Sequence, residues 1–147
     1  MSVPTFWMAI DPHGARPHAV AMYEGETLVA CYDMDLSQLW RYIRHYRHPE
    51  RVFIEDQYFH KNVKTLKSLS SAVGEIKGIC AVRDVEVGMI NPAHWQKHYG
   101  FAGRKKAKGE YLARVHEMGF EQCRTEDHAV AILIGEYVRH TLAVEAP

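Results

Sequence analysis

Cysteine is scarce in this chain. Cys31, Cys80 and Cys123 are odd in number, far apart and without CxxC spacing. That excludes a disulfide-stapled scaffold and points to free thiols in a reducing compartment. Long apolar runs are missing too: no segment approaches the roughly 20 apolar residues of a membrane-crossing helix, so no membrane partner is expected. The first ten residues lack a basic start, and Asp11 closes their short apolar run, which is unlike a secretory leader and implies a cytoplasmic protein. Neither sign of charge prevails, since 18 Lys and Arg face 18 Asp and Glu. A zero balance argues against a diffuse polyanion binder. No repeat, low-complexity tract or linker divides the 147 residues, so a single domain over 1–147 is expected, large enough to bury roughly 68–70 % of its unfolded surface.

The charges are nonetheless segregated. Arg41, Arg44, Arg47 and Arg51 cluster with His45 and His48 against Glu50 alone, and Lys61, Lys64 and Lys67 form a second group. From Lys97 to Lys108 the run of Lys97, Arg104, Lys105, Lys106 and Lys108 contains no acid. Such clusters can hold a phosphate backbone even in a neutral protein. The first could equally be a solvated helix face; the last, with Gly100, Gly103 and Gly109 in or beside it, reads as a loop.

The apolar pattern gives an α/β order. Phe6 to Ile10 suits a central strand, and His18 to Tyr23 and Thr27 to Tyr32 flank the hairpin signature Glu24-Gly25-Glu26. A helix begins at Asp35 and ends before Pro49. Val52-Phe53-Ile54 within Arg51 to Glu55 reads as a strand buried on both faces, hence parallel-paired. Val63, Leu66, Leu69, Val73, Ile76 and Ile79 or Cys80 mark a long amphipathic helix. On it Gly74 and Gly78 share a face suited to close packing on the sheet or on a second subunit. Val85 to Ile90 is a fifth strand, Pro92 opens a short helix with Trp95 and Tyr99, and another helix spans Gly109 to Met118. Thr125 caps a terminal helix that is apolar nearly all round and therefore buried.

Three of these elements deliver a carboxylate: Asp11 after the first strand, Glu55 after the fourth, and Asp127 at the head of the terminal helix. Singly, each has an ordinary explanation as a turn acid, a strand-end charge or a helix-dipole partner. Together, like charges gathered in a poorly hydrated site call for a cation, which implies a divalent metal and phosphate chemistry. His94 and His98, four apart, find no partners at zinc spacing and read as surface residues.

Three antiparallel strands, a helix, a strand, a helix, a strand and a terminal helix form the ribonuclease H-like order. Ala9-Ile10-Asp11-Pro12-His13-Gly14, Phe53-Ile54-Glu55 with Tyr58, Lys61-Asn62 opening the long helix, Pro92 with Trp95, the lysine-rich loop and Asp127 follow one another. In these the chain, from Phe6 to about His140, resembles the RuvC-type Holliday-junction resolvases, of the phage or phage-derived kind. The resemblance implies an α/β, ribonuclease H-like fold: a five-stranded mixed sheet, its first three strands antiparallel, flanked by helices. It implies a crossover-junction endodeoxyribonuclease in a bacterial or phage-infected cytoplasm, serving recombination, repair or phage genome processing. A homodimer would nick branched DNA symmetrically with two Mg²⁺ ions per site, Mn²⁺ substituting. Asp11, Glu55 and Asp127 would hold the metal, and Lys106 would bind the phosphate under attack. Tyr58, Lys61, Lys97, Arg104, Lys105 and Lys108 would contact DNA, Tyr58 as a wedge against bases.

The resemblance also implies two acids three residues apart on the terminal helix. Here positions 124 and 130 are Arg124 and Val130, leaving Glu126 or His128 to take the missing role. Two other readings remain open: a ribonuclease H-like or integrase-type nuclease with a different substrate, and a junction-binding protein that does not cut.

Overall fold

The computed structural model of the chain describes residues 3–56, 62–101 and 109–145, the side chains of 143–145 excepted. Strands β1 (Phe6–Asp11), β2 (His18–Glu24) and β3 (Thr27–Met34) pair antiparallel, turning between β2 and β3 at Gly25, whose φ is +55°. Strands β4 (Arg51–Glu55) and β5 (Glu86–Ile90) add in parallel on the other side of β1, giving the order β3-β2-β1-β4-β5. With parallel neighbours on both edges and helices on both faces, β4 keeps the unbroken apolar core read from its sequence. The five-stranded mixed sheet flanked by helices is the expected fold class.

Helix α1 (Leu36–Arg41) starts from a capping box. The Asp35 carboxylate accepts the Gln38 N–H, and the Gln38 side chain accepts the Asp35 N–H. The sequence predicts one helix up to Pro49. Instead the last part widens into a π-helical turn, Tyr42–Tyr46, closed by the Arg47 N–H on the Tyr42 carbonyl at 3.0 Å. Arg47 thereby leaves the helix, lies over the Phe6 ring at 3.9 Å and pairs with Glu24.

Helix α2 (Val63–Val82) is capped by Asn62, whose side chain accepts the Lys64 and Thr65 N–H groups. It buries Ala72, Val73, Ile76 and Cys80. Its first turns carry only half-buried Leu66 and Leu69 and an exposed Val63. Gly74 and Gly78 face solvent, and a Cβ at either would meet nothing within 4 Å. Packing of that glycine face on the sheet is therefore not realised. Helices α3 (Pro92–His98), α4 (Glu110–Glu117) and α5 (Glu126–Glu145) follow, α5 capped by Thr125, whose hydroxyl oxygen accepts the His128 N–H at 3.1 Å.

Pleating sends alternate strand residues to opposite faces. Trp7, Ala9, Ala19, Ala21, Tyr23 and Phe53 join the core shared with α3, α4 and α5, whereas Met8, Ile10, Val20, Met22, Val52 and Ile54 join that of α1 and α2. On the α5 side the layer includes Ala9, Ala19 and Ala21 from the sheet and Ala129 and Ala131 from the helix, all fully buried. These small side chains let α5 lie close to the strands. Tyr23 tightens the contact. Its ring stacks on Trp7 at 4.2 Å, and its hydroxyl donates to buried Glu136 at 3.0 Å. Gly135 makes room for it, since a Cβ there would stand 2.4 Å from the Tyr23 ring.

Gly135→Ala is accordingly expected to destabilise the protein by about 1–2 kcal/mol, overpacking outweighing the better helix propensity of alanine. Gly74→Ala should instead stabilise by up to about 1 kcal/mol. Thermal or urea unfolding of the two variants reads the opposite signs, and a stabilised Gly135→Ala would show that the Tyr23 contact is loose.

Candidate active site

The alternation that builds the core also aims the acids. Asp11 ends β1 two residues beyond Ala9, so it continues the row facing α5, and Glu55 ends β4 two beyond Phe53 on the same face. Because β1 and β4 run parallel with Ile10 opposite Ile54, both carboxylates emerge at the carboxyl ends of adjacent strands. Asp127, in the first turn of α5, meets them there. The three expected acids line one cleft of about 550 Å³ together with His13, Arg16, Lys64, Trp95 and Tyr111.

Within the cleft, donor atoms of Asp11, His13 and Asp127 all lie within 4.8 Å of one another. His13 Nε2 is 3.0 Å from Asp11 Oδ2 and 3.5 Å from Asp127 Oδ1. Arg16 grips Asp127 with both arms, Nε on Oδ2 and Nη2 on Oδ1, each at 3.0 Å. Glu55 stands outside that cluster, and its Oε2 accepts the Trp95 indole N–H at 2.6 Å.

The β1–β2 turn that carries His13 and Arg16 is fixed from several sides. The His13 N–H donates to His18 Nδ1 at 3.0 Å, and His13 Nδ1 sits 2.8 Å from the Pro17 carbonyl. Gly14 lets the turn rest against α2, for a Cβ there would come within 2.9 Å of Ser68 Cβ.

These contacts set the electrostatics. Burial drives the Asp11 carboxyl above its usual range, against the lowering pull of His13. Burial would lower the His13 imidazole, but Asp11, the Pro17 carbonyl and Asp127 together raise it above the ordinary histidine value. The Arg16 hydrogen bond outweighs burial and holds Asp127 below the usual carboxylate range. Burial lowers His18, which fits an imidazole that accepts a hydrogen bond at Nδ1. In this state the positive charge that makes two neighbouring carboxylates tolerable comes from His13 and Arg16. Hard carboxylate oxygens converging at the ends of two strands and a helix suit a divalent cation in the same place.

Not every expected residue joins the cleft. Glu126 turns away to the start of α4, where its two oxygens accept the Tyr111 and Leu112 N–H groups at 3.1 and 3.2 Å. His128 Nε2 bonds Asp33 at 2.9 Å. Lys97 is exposed on α3, away from the cleft lining, which instead takes Lys64 from the second basic group. Tyr58, Lys61, Arg104, Lys105, Lys106 and Lys108 lie outside the described residues. His13, Arg16 and the Trp95 bond to Glu55 were not singled out from the sequence. An available signal was the Asp11-x-His13 spacing, which continues the side-chain alternation of β1 one step past its end.

No family model matches the chain, and no curated protein matches it in sequence. Among solved structures, RuvC of Thermus thermophilus in complex with a Holliday junction substrate superposes with a TM-score of 0.71 at 14% identity, covering 95% of this chain and 96% of that one. A second Thermus thermophilus RuvC structure gives 0.65 at 18% identity, covering 95% of each chain. The yeast mitochondrial Holliday junction resolvase Ydc2 gives 0.67 at 10% identity, covering 97% of this chain and 81% of that one. At these identities the likeness is one of architecture: the chain has the RuvC, ribonuclease H-like fold over nearly its whole length.

Proposed function

We propose that this protein is a metal-dependent, structure-selective endodeoxyribonuclease that nicks four-way DNA junctions. The observation that supports it is the meeting of Asp11, Glu55 and Asp127 in one cleft, on a fold shared with a RuvC solved on a Holliday junction. Asp11, Glu55 and Asp127 would hold two Mg²⁺ or Mn²⁺ ions, which when bound supply charge relief at the phosphate and a reactive water.

The remaining work falls to side chains. Trp95 fixes one oxygen of Glu55 and so orients the carboxylate. Arg16, with a largely exposed side chain, and Lys64 on the cleft wall would neutralise the phosphates flanking the cut. Lys106, aided by Lys105, Lys108, Arg104, Lys61 and Lys97, would extend that field along the DNA arms, with Tyr58 stacking on bases at the branch point. Two symmetric nicks need two active sites, hence a homodimer, for which the exposed Gly74 and Gly78 face of α2 offers a close-approach surface.

Asp11→Asn is expected to reduce nicking of a labelled four-way junction at least about a thousandfold while junction binding persists. Binding with no cleavage by the wild type under any divalent metal would make the protein a junction-binding module instead. Arg16→Ala should tighten Mg²⁺ binding to the DNA-free protein severalfold in calorimetry, because Asp127 no longer shares its negative charge with the guanidinium; weaker binding would mean that Arg16 supports the site. Replacing Lys105 and Lys106 with Ala should flatten the salt dependence of junction affinity by about two units of log–log slope. An unchanged slope would remove those lysines from the DNA contact.

A further inference from the structure

Resting on the metal-site reading above, we infer that His13, from the β1–β2 turn, is itself a ligand of the metal centre through Nε2, making the donor set mixed in nitrogen and oxygen and favouring Mn²⁺ over Mg²⁺. Three observations carry this.

The first is spacing. Two donors at right angles on an ion with bonds of ~2.1 Å stand ~3.0 Å apart, and opposite donors ~4.2 Å. His13 Nε2 lies 3.0 Å from Asp11 Oδ2 and 3.5 Å from Asp127 Oδ1. It completes the one group of three donors within 4.8 Å found among the described residues. The second is tautomer. A carbonyl oxygen only accepts, so the contact at 2.8 Å with Pro17 assigns a hydrogen to His13 Nδ1. With Nδ1 so engaged, Nε2 is the nitrogen left to meet a metal ion, and it faces both carboxylates. The third is rigidity. His13 is 7% exposed, its backbone N–H is held by His18 at 3.0 Å, and Gly14 seats the turn against Ser68. The ring is thus held in place at the site and needs no swing to reach it.

Asp127 can serve alongside it while paired to Arg16, because each carboxylate oxygen has a second lone pair. The two other histidines near the start of α5 and the turn are engaged elsewhere: His128 Nε2 on Asp33 at 2.9 Å and His18 Nδ1 on the His13 N–H. An imidazole nitrogen among oxygen donors suits a transition ion better than Mg²⁺, which prefers an all-oxygen octahedron.

The test is pulsed electron paramagnetic resonance of Mn²⁺ bound to the full chain without DNA, with Mn²⁺ affinity measured in parallel. We expect a directly coordinated ¹⁴N coupling in the wild type that persists in His128→Gln. His13→Gln should lose it and bind Mn²⁺ at least about tenfold more weakly. His13→Glu should recover most of the affinity without the nitrogen coupling. Mn²⁺ bound to the wild type with no nitrogen coupling, or a coupling that survives in His13→Gln, overturns the assignment of His13 and leaves the carboxylate metal site standing. If Mn²⁺ binds no better to wild type than to Asp11→Asn, the metal-site reading itself fails. Should His13→Gln not fold, His13→Asn is read in its place, and a nitrogen coupling retained there overturns the assignment.

Discussion

Asp11, which is buried, and Asp127, which is partly exposed, repel one another across the cleft, and the turn after β1 serves to hold them there. The repulsion is met by cations delivered from the short turn after β1: His13 reaches both acids and Arg16 clasps one of them. That turn is braced by His18 on β2, by the Pro17 carbonyl and by its seat on α2. His13 and Arg16 offset the repulsion while Asp11 and Asp127 keep the oxygen donors that a divalent cation would use.

Much of this was legible in the sequence because it follows from local periodicity. The apolar runs located the five strands, and the unbroken core of β4 announced its parallel neighbours. Acids ending strands and opening a helix pointed to a single cleft, since the ends of neighbouring elements are close in space. Thr125 marked the start of α5 through its capping chemistry. What escaped the sequence depends on contacts between distant positions. Arg16 and Asp127 are 111 residues apart, and Trp95 and Glu55 are 40 apart. Neither pair carries a spacing rule. Glu126 looked like a ligand because it adjoins Asp127, but adjacent residues on a helix point about 100° apart. Its oxygens serve the open N–H groups of α4 instead. The π-helical turn after α1 was likewise hidden, because the pattern of Leu39 and Ile43 fits an ordinary helix equally well.

The two faces of the sheet divide the labour. The face toward α1 and α2 is built from Met, Ile and Val with Phe6 at one end, large side chains that interlock. The face toward α5 combines alanines with aromatic anchors, Trp7 stacked on Tyr23 and crossed edge-on by Phe53 at 5.5 Å. Interlocking gives bulk stability, whereas small contacts set a distance.

The alanine layer thus acts as a gauge block. Asp127 lies one turn before Ala131 on the same face of the helix, and Asp11 two residues after Ala9 on the strand. The separation of the acids is therefore inherited from the thickness of a few methyl groups that carry no charge and touch no substrate. Damage to the proposed metal site can originate there without any change in its donors: a single added methylene at Ala9, Ala19 or Ala131 would lift the helix and open the gap between carboxylates. In a stability survey such positions would look like ordinary core lesions while acting as errors of calibration.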